Sequence, residues 1–345
     1  MSVAGDTKGF GCSGVLAREY VKDMKALITG SQGFVGKHLT EFLLRKGVEV
    51  IGLVREQDGV FSNRSRSLQV VTGDIADAER VQIVLEEIRP DQIYNLAAIT
   101  SVPVSLRDPR ITFCVNTGGI LNIFEAVRRI GLTTRVLNVS SAQVYGSLPS
   151  SEVAFSETSA LNPNTTYSAS KIMAETLAES YVSAFGIDIV TVRPFNHIGP
   201  GQPPDFACSD FAWQIARIRR GIQSPVLHTG NLNAERDFTD VRDVVEAYWA
   251  ALSKGVTGRI YNVCSGTAVS LRAIVESLCR LAGIPVQLKF ESERIRSSDN
   301  LRICGNAARI KRELGWTPKI PIETTLRDVL DYWTNAFSEK LQTLQ

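Results

Sequence analysis

Residues 30–36 read Gly-Ser-Gln-Gly-Phe-Val-Gly and stand between a β-rich run at 25–29 and a helical pattern at 34–46. A phosphate needs backbone that can approach closely and N–H groups that point at it. Glycines allow both, and the first turn of the following helix adds partial positive charge. At a strand–turn–helix junction near the start of a fold, this spacing points to a βαβ unit with a dinucleotide seated on the turn. Gly30, Gln32, Gly33, Phe34, Val35 and Gly36 are the expected contacts.

The residues that follow keep the same alternation. Strands are predicted at 48–54, 68–71, 92–96, 135–139 and 187–192, with helical stretches between them, among them a long one from about Tyr167 to Phe185. Parallel neighbours need a crossover helix, so the pattern implies one parallel sheet. After Arg193 the character changes. Residues 196–206 are rich in Gly and Pro and read as loop. Helices are predicted at 210–220, 241–253, 270–281 and 306–314, with short strands at 259–263 and 286–289. The expected fold is α/β: a Rossmann-like doubly wound parallel sheet over residues 24–193, with a smaller mixed α/β lobe over 194–335 interleaved with it. Residues 336–345 read as a tail. Residues 1–23 hold four glycines and no sustained apolar core, so they read as a loosely held leader rather than a secretion signal.

Composition closes off other classes. Hydrophobic residues are 44% and charged residues 21%, ordinary for a soluble globular chain, and a formal net charge of +2 is too small to hold a nucleic acid by bulk electrostatics. No apolar run approaches the length of a membrane span. Six scattered cysteines without C-x-x-C spacing, and three histidines, argue against a metal site and for a reducing cytoplasm.

The second strand ends Val54-Arg55-Glu56. An acidic residue at that place binds the ribose hydroxyls of NAD, and an arginine favours the 2′-phosphate of NADP. Arg55 therefore favours NADP(H), while Glu56 keeps NAD(H) open. Leu96, Ala97 and Ala98 supply small residues where a cofactor would cross the sheet edge.

Tyr167 and Lys171 lie at i and i+4, on one face of a helix. A tyrosine with a pKa of about 10 is a poor proton donor or acceptor at neutral pH unless something stabilises its anion. A lysine one turn away does so by direct charge interaction. Ser141, at the end of the fifth strand, can hold a reacting oxygen.

On the glycine loop, the Tyr-x-x-x-Lys spacing and that serine, the chain from Met24 to about Tyr332 resembles the extended short-chain dehydrogenase/reductase family. The resemblance implies that Ser141, Tyr167 and Lys171 carry the chemistry, that Tyr167 and Lys171 also touch the cofactor, and that Asp74 and Ile75 meet its adenine edge. It implies a nucleotide-sugar substrate and often a homodimer built through a helix bundle. Residues 193–202 (RPFNHIGPGQ) and 230–243 (GNLNAERDFTDVRD) resemble the members that act on GDP-sugars. In those, the asparagine matching Asn196 touches the substrate phosphates and the arginine matching Arg236 meets the diphosphate. Residues 296–299 (RSSD) resemble their phosphate- and ribose-gripping element, assigning Arg296 and Asp299, with serine in place of proline and aspartate in place of glutamate.

Dehydratases of that group need a glutamate two residues before the tyrosine of the strand-end turn. Here that substrate-facing position is Gln143, which has no titrating group near neutral pH. Gln143 argues against the dehydratase, and the resemblance implies NAD(P)H-dependent reduction of the 4-keto group of GDP-4-dehydro-6-deoxy-D-mannose to GDP-D-rhamnose. A 4,6-dehydratase, a nucleotide-sugar 4-epimerase and a non-catalytic dinucleotide-binding regulator remain the alternatives. His197 reads as shaping the substrate loop.

Overall fold

The computed structural model describes residues 23–55, 68–146, 154–294 and 302–342, the side chains of the last four excepted. The expected contacts Glu56, Arg296 and Asp299 lie outside these residues. The chain opens with β1 (Lys25–Thr29), α1 (Phe34–Lys46), β2 (Glu49–Val54), β3 (Leu68–Thr72), α2 (Ala78–Ile88) and β4 (Gln92–Asn95). Short helices α3 (Val102–Arg107) and α4 (Pro109–Phe113) lead through a π-helical turn at Cys114–Gly118 into α5 (Gly119–Ile130). Then come β5 (Arg135–Val139), a 3₁₀ turn at Ala142–Tyr145, α6 (Thr166–Phe185), β6 (Ile189–Pro194) and β7 (Asn196–Ile198). The remainder is α7 (Ala207–Arg219), β8 (Val226–Thr229), β9 (Glu235–Asp240), α8 (Val241–Lys254), β10 (Ile260–Val263), β11 (Ala268–Ser270) and α9 (Leu271–Ala282). It closes with β12 (Gln287–Phe290), β13 (Arg302–Ile303), α10 (Ala308–Leu314) and α11 (Ile322–Gln342).

Seven strands form one sheet in the order β3-β2-β1-β4-β5-β6-β10, and every neighbouring pair is parallel. The order reverses between β1 and β4, which opens a crevice beyond their C-terminal ends. Helices cover both faces because their apolar residues recur at helical spacing. α5 buries Ile120, Ile123, Phe124 and Val127 against α2, α6 and one face of the sheet. The other face takes Leu39, Phe42 and Leu43 of α1 with Val244, Val245, Tyr248 and Ala251 of α8. Each such side chain contributes about 1.5–3 kcal/mol when fully buried.

The lobe holds a second sheet, β11-β9-β13 with β7 also paired to β9, and the parallel pair β8–β12. Its core joins Phe211 and Ile215 of α7, Leu227 of β8, Ile274 and Leu278 of α9, and Leu326 and Leu330 of α11. Three of the features that differ from the sequence expectation bear on the lobe. Residues 196–198, read as loop, form a strand because Asn196 and His197 pair with Phe238 and Thr239, and the Gly-Pro-Gly that ends it begins only at Gly199. The strand at 260–263, read with the lobe, is the seventh strand of the large sheet; a buried apolar run carries no local sign of which sheet it joins. The tail read from residue 336 is the continuation of α11, where Trp333 and Phe337 pack on the lobe core and Trp333 Nε1 donates to Ser209 Oγ at 3.0 Å.

Candidate active site

The glycine loop leaves β1 at the switch point. Gly30 has φ +68°, and a Cβ there would lie 3.0 Å from the amide nitrogen of Ala97. One at Gly36 would lie 2.3 Å from the Gly30 carbonyl oxygen, so the loop folds back on the start of α1 only without side chains. Thr29 Oγ1 accepts from the backbone N–H groups of Leu96 and Ala97 and donates to Asn95 Oδ1 at 2.8 Å, pinning the ends of β1 and β4 together. The result is a cradle of bare backbone at a helix N-terminus, which fits a dinucleotide pyrophosphate. Gly30, Gly33, Phe34, Val35, Gly36, Leu96 and Ala98 line the cleft above it. Arg55, Asp74 and Ile75 follow the ends of β2 and β3 along the same edge and lie off the cleft lining, as do Gln32 and Ala97.

Ser141, Gln143, Tyr167 and Lys171 meet in this cleft of about 960 Å³. Thr165 starts α6 with a reciprocal cap: its Oγ1 accepts from Ser168 N–H and Ser168 Oγ accepts from Thr165 N–H, both at 3.1 Å. That fixes Tyr167 in the first turn and Lys171 one turn on, both buried. Burial pushes the Tyr167 phenol above its ordinary value, and the nearby Ser141 hydroxyl works the other way. Burial brings Lys171 down to about 8, against the pull of Glu175. Lys171 Nζ donates to the Val139 carbonyl at 2.8 Å and sits 5.9 Å from the Tyr167 ring centre. The arrangement puts a phenol, a hydroxyl and an ammonium side by side, as proton transfer to a carbonyl oxygen requires.

Asn196 and Arg236 line the lobe side of the same cleft. His197 also lines it, but its ring stacks on Phe34 at 6.2 Å and its Nδ1 lies 3.1 Å from the Phe195 carbonyl. Burial lowers its pKa and leaves it neutral, in a packing position between the cofactor helix and the lobe.

Several residues of the site carry no local signature. Asn116 sits in the π-helical turn, accepts from Ile99 N–H at 2.8 Å, and donates to the Ile99 carbonyl and to Ser170 Oγ. It ties the cleft wall to α6. Tyr248 of α8 lines the cleft and reads in sequence as one more core aromatic. At the lobe end, Asp210 of α7 accepts from Arg294 at 2.6 Å and from Gln214 at 2.9 Å. A polar residue inside the apolar pattern at 113–124 was the available sign for Asn116; for the others only the fold brings them together. No cluster of His, Cys, Asp and Glu able to hold a metal occurs among the described residues.

A switch-point cradle beside a Ser–Tyr–Lys trio is the arrangement of an NAD(P)-dependent oxidoreductase of the short-chain dehydrogenase/reductase type. The sequence profile of the GDP-mannose 4,6 dehydratase family matches residues 27–329. The chain belongs to that family. It is 33% identical over 318 residues to the GDP-6-deoxy-D-mannose reductase of Pseudomonas aeruginosa, covering 92% of this chain and 99% of that one. It is 31% identical over 334 residues to GDP-mannose 4,6 dehydratase 1 of Arabidopsis thaliana, covering 91% of each. Among solved structures, RMD from Pseudomonas aeruginosa complexed with NADPH superposes with a TM-score of 0.80 at 32% identity, over 91% of this chain and all of that one.

Proposed function

We propose that the chain reduces the 4-keto group of GDP-4-dehydro-6-deoxy-D-mannose to GDP-D-rhamnose, with NADPH preferred over NADH. The observation that carries reduction over dehydration is Gln143, which lines the cleft beside the trio. A dehydratase must remove and return a proton there, and an amide cannot. The reductase name of the Pseudomonas relative supports the same reading.

NADPH held on the glycine loop and by Tyr167 and Lys171 would supply the hydride for sugar carbon 4. As the keto oxygen gains charge, Tyr167 protonates it and Ser141 holds it by a hydrogen bond. Lys171 favours the phenolate left on Tyr167, and both side chains hold the nicotinamide ribose. Gly30, Gln32, Gly33, Phe34, Val35 and Gly36 take the pyrophosphate, and Arg55 the 2′-phosphate. Asp74 and Ile75 take the adenine edge, and Leu96, Ala97 and Ala98 the stretch between. Asn196 and the guanidinium fork of Arg236 take the substrate diphosphate, with Arg296 and Asp299 completing the grip.

Purified protein should oxidise NADPH when given the 4-keto-6-deoxy substrate and release no water from GDP-mannose. Tyr167→Phe should cut turnover about a hundredfold while NADPH still binds. Gln143→Glu should leave reduction largely standing. Conversion of GDP-mannose to its 4-keto-6-deoxy product by the wild-type protein would overturn the reading in favour of the dehydratase.

The same reading makes the protein a cytoplasmic homodimer. Supporting a dimer, Met173 and Phe185 of α6 and Leu106 and Ile111 of α3 and α4 leave apolar side chains half exposed. The described cysteines are free thiols, in keeping with a reducing compartment. Sedimentation velocity at micromolar concentration should return twice the chain mass; a single monomeric species would refute the dimer.

A further inference from the structure

Behind the trio lies a buried charge pair that the proposed reaction does not use. Glu175 follows Tyr167 and Lys171 at the same four-residue step, so all three share one face of α6. At i+4 from a lysine, a glutamate lies within reach of an ion pair with it. Here it forms none. Both carboxylate oxygens are taken by the guanidinium fork of Arg193 on β6, Nε to Oε1 at 2.9 Å and Nη2 to Oε2 at 2.6 Å. The two side chains are only 4% and 6% exposed. Arg193 is itself held from behind. Its Nη1 donates to Tyr145 Oη at 2.9 Å, and its guanidinium lies over the Tyr145 ring, 4.9 Å from the centre. Tyr145 Oη donates in turn to Asn262 Oδ1 at 2.7 Å, and Asn262 Nδ2 donates to the Phe155 carbonyl. The clamp therefore rests on β10 and on the strand-end turn that also carries Gln143.

We propose that Glu175, clamped by Arg193, is a positioning residue for Lys171: it supplies the negative charge that keeps the buried ammonium protonated, without taking the hydrogen bonds that the ammonium must direct at Val139 and the cleft. The inference rests on the proton-transfer role given above to Tyr167 and Lys171. Desolvation drives the Lys171 pKa down, and Glu175 opposes it. An unclamped carboxylate would draw Nζ toward itself and away from the Val139 carbonyl, 2.8 Å away. A clamped one acts through space alone, with Arg193 on its far side as the weaker, opposing charge. The groups facing the ammonium are Tyr167 and Glu175 from its own helix and the Val139 carbonyl from β5. Behind them stand Arg193 from β6, Tyr145 from the 3₁₀ turn and, acting on Tyr167, Tyr248 from α8.

The test reads the Lys171 side chain directly, by lysine-selective NMR of the full chain saturated with NADPH, with the signal assigned through Lys171→Arg. Glu175→Gln removes the favourable charge and leaves Arg193 unbalanced, so the Lys171 midpoint should fall by about one pH unit. Glu175→Gln with Arg193→Met removes both charges, keeps the volume, and should shift the midpoint down by less. This double variant carries the test if the single one does not fold, because replacing a whole buried pair is tolerated far better than breaking one. Midpoints within 0.3 pH unit of wild type in the folded variants (roughly the least shift a neighbouring charge of this kind would give) would overturn the proposal. The titration needs no sugar substrate. A wild-type protein that fails to reduce the keto sugar while the variants shift as expected refutes the reductase reading and leaves this inference standing.

Discussion

Arg55 is the residue whose assignment can be tested most simply. It is exposed, one residue past the end of β2, on the sheet edge beside the glycine loop. A guanidinium there would pair with the 2′-phosphate of NADPH and find no such partner on NADH. Arg55→Asp should raise KM for NADPH far more than KM for NADH; equal effects would place Arg55 away from the phosphate. At this scale the sequence was legible wherever a contact is encoded in short spacing. Tyr167 and Lys171 one turn apart, and glycines at fixed steps after a strand, name themselves because the local helix geometry already brings the groups together. Asn116, Tyr248 and Asp210 do not. Asn116 reaches Ser170 across 54 residues of chain, and nothing in the surrounding residues announces that meeting.

Among the elements, the junction of β1 and α1 is the least tolerant. A Cβ at Gly36 would stand 2.3 Å from the Gly30 carbonyl oxygen and 2.7 Å from Ser31 Cα, backbone atoms with nowhere to go. Gly36→Ala should therefore push the loop off the helix start, weaken NADPH binding at least about tenfold and cost about 1–3 kcal/mol of stability. Fluorescence titration of NADPH against the variant, with urea unfolding alongside, checks both. Wild-type affinity would show that the loop can move without losing its cradle. The same physics explains which elements the sequence disclosed. The helix expected at 34–46 is α1 itself, because its apolar positions recur regularly and Gly47, at φ +85°, stops it. β9 was read as a motif rather than a strand, since Glu-Arg-Asp-Phe-Thr-Asp has neither alternation nor a β-branched run. It is a strand because β7, β11 and β13 pair with it.

For the molecule as a whole, the cleft lies on a seam: the large sheet supplies the glycine loop and the trio, and the lobe supplies Asn196 and Arg236. One carboxylate sits where the two parts join. Asp237 of β9 is completely buried. Its Oδ1 accepts from Ser265 N–H at 2.8 Å and Ser265 Oγ at 2.6 Å, and its Oδ2 from Gly266 N–H at 2.9 Å and Gly305 N–H at 3.1 Å. Ser265 and Gly266 follow the last strand of the large sheet, and Gly305 follows β13 of the lobe, so a single side chain fastens both to β9. Burial pushes the Asp237 carboxyl up while these four bonds work to keep it ionised. Asp237→Asn keeps the shape, and its amide settles with the carbonyl oxygen toward Gly266 and Gly305 and the NH₂ toward Ser265, whose hydroxyl can turn to accept while its backbone N–H cannot. One buried N–H group then loses its partner, so the variant should lose about 1–3 kcal/mol in urea unfolding. Because Asn196 and Arg236 sit on β7 and β9, the loosened seam should also weaken sugar-nucleotide binding more than NADPH binding, whose proposed contacts follow strands of the large sheet. An asparagine variant that matches wild type in unfolding midpoint and in both affinities would show that the seam does not depend on this carboxylate.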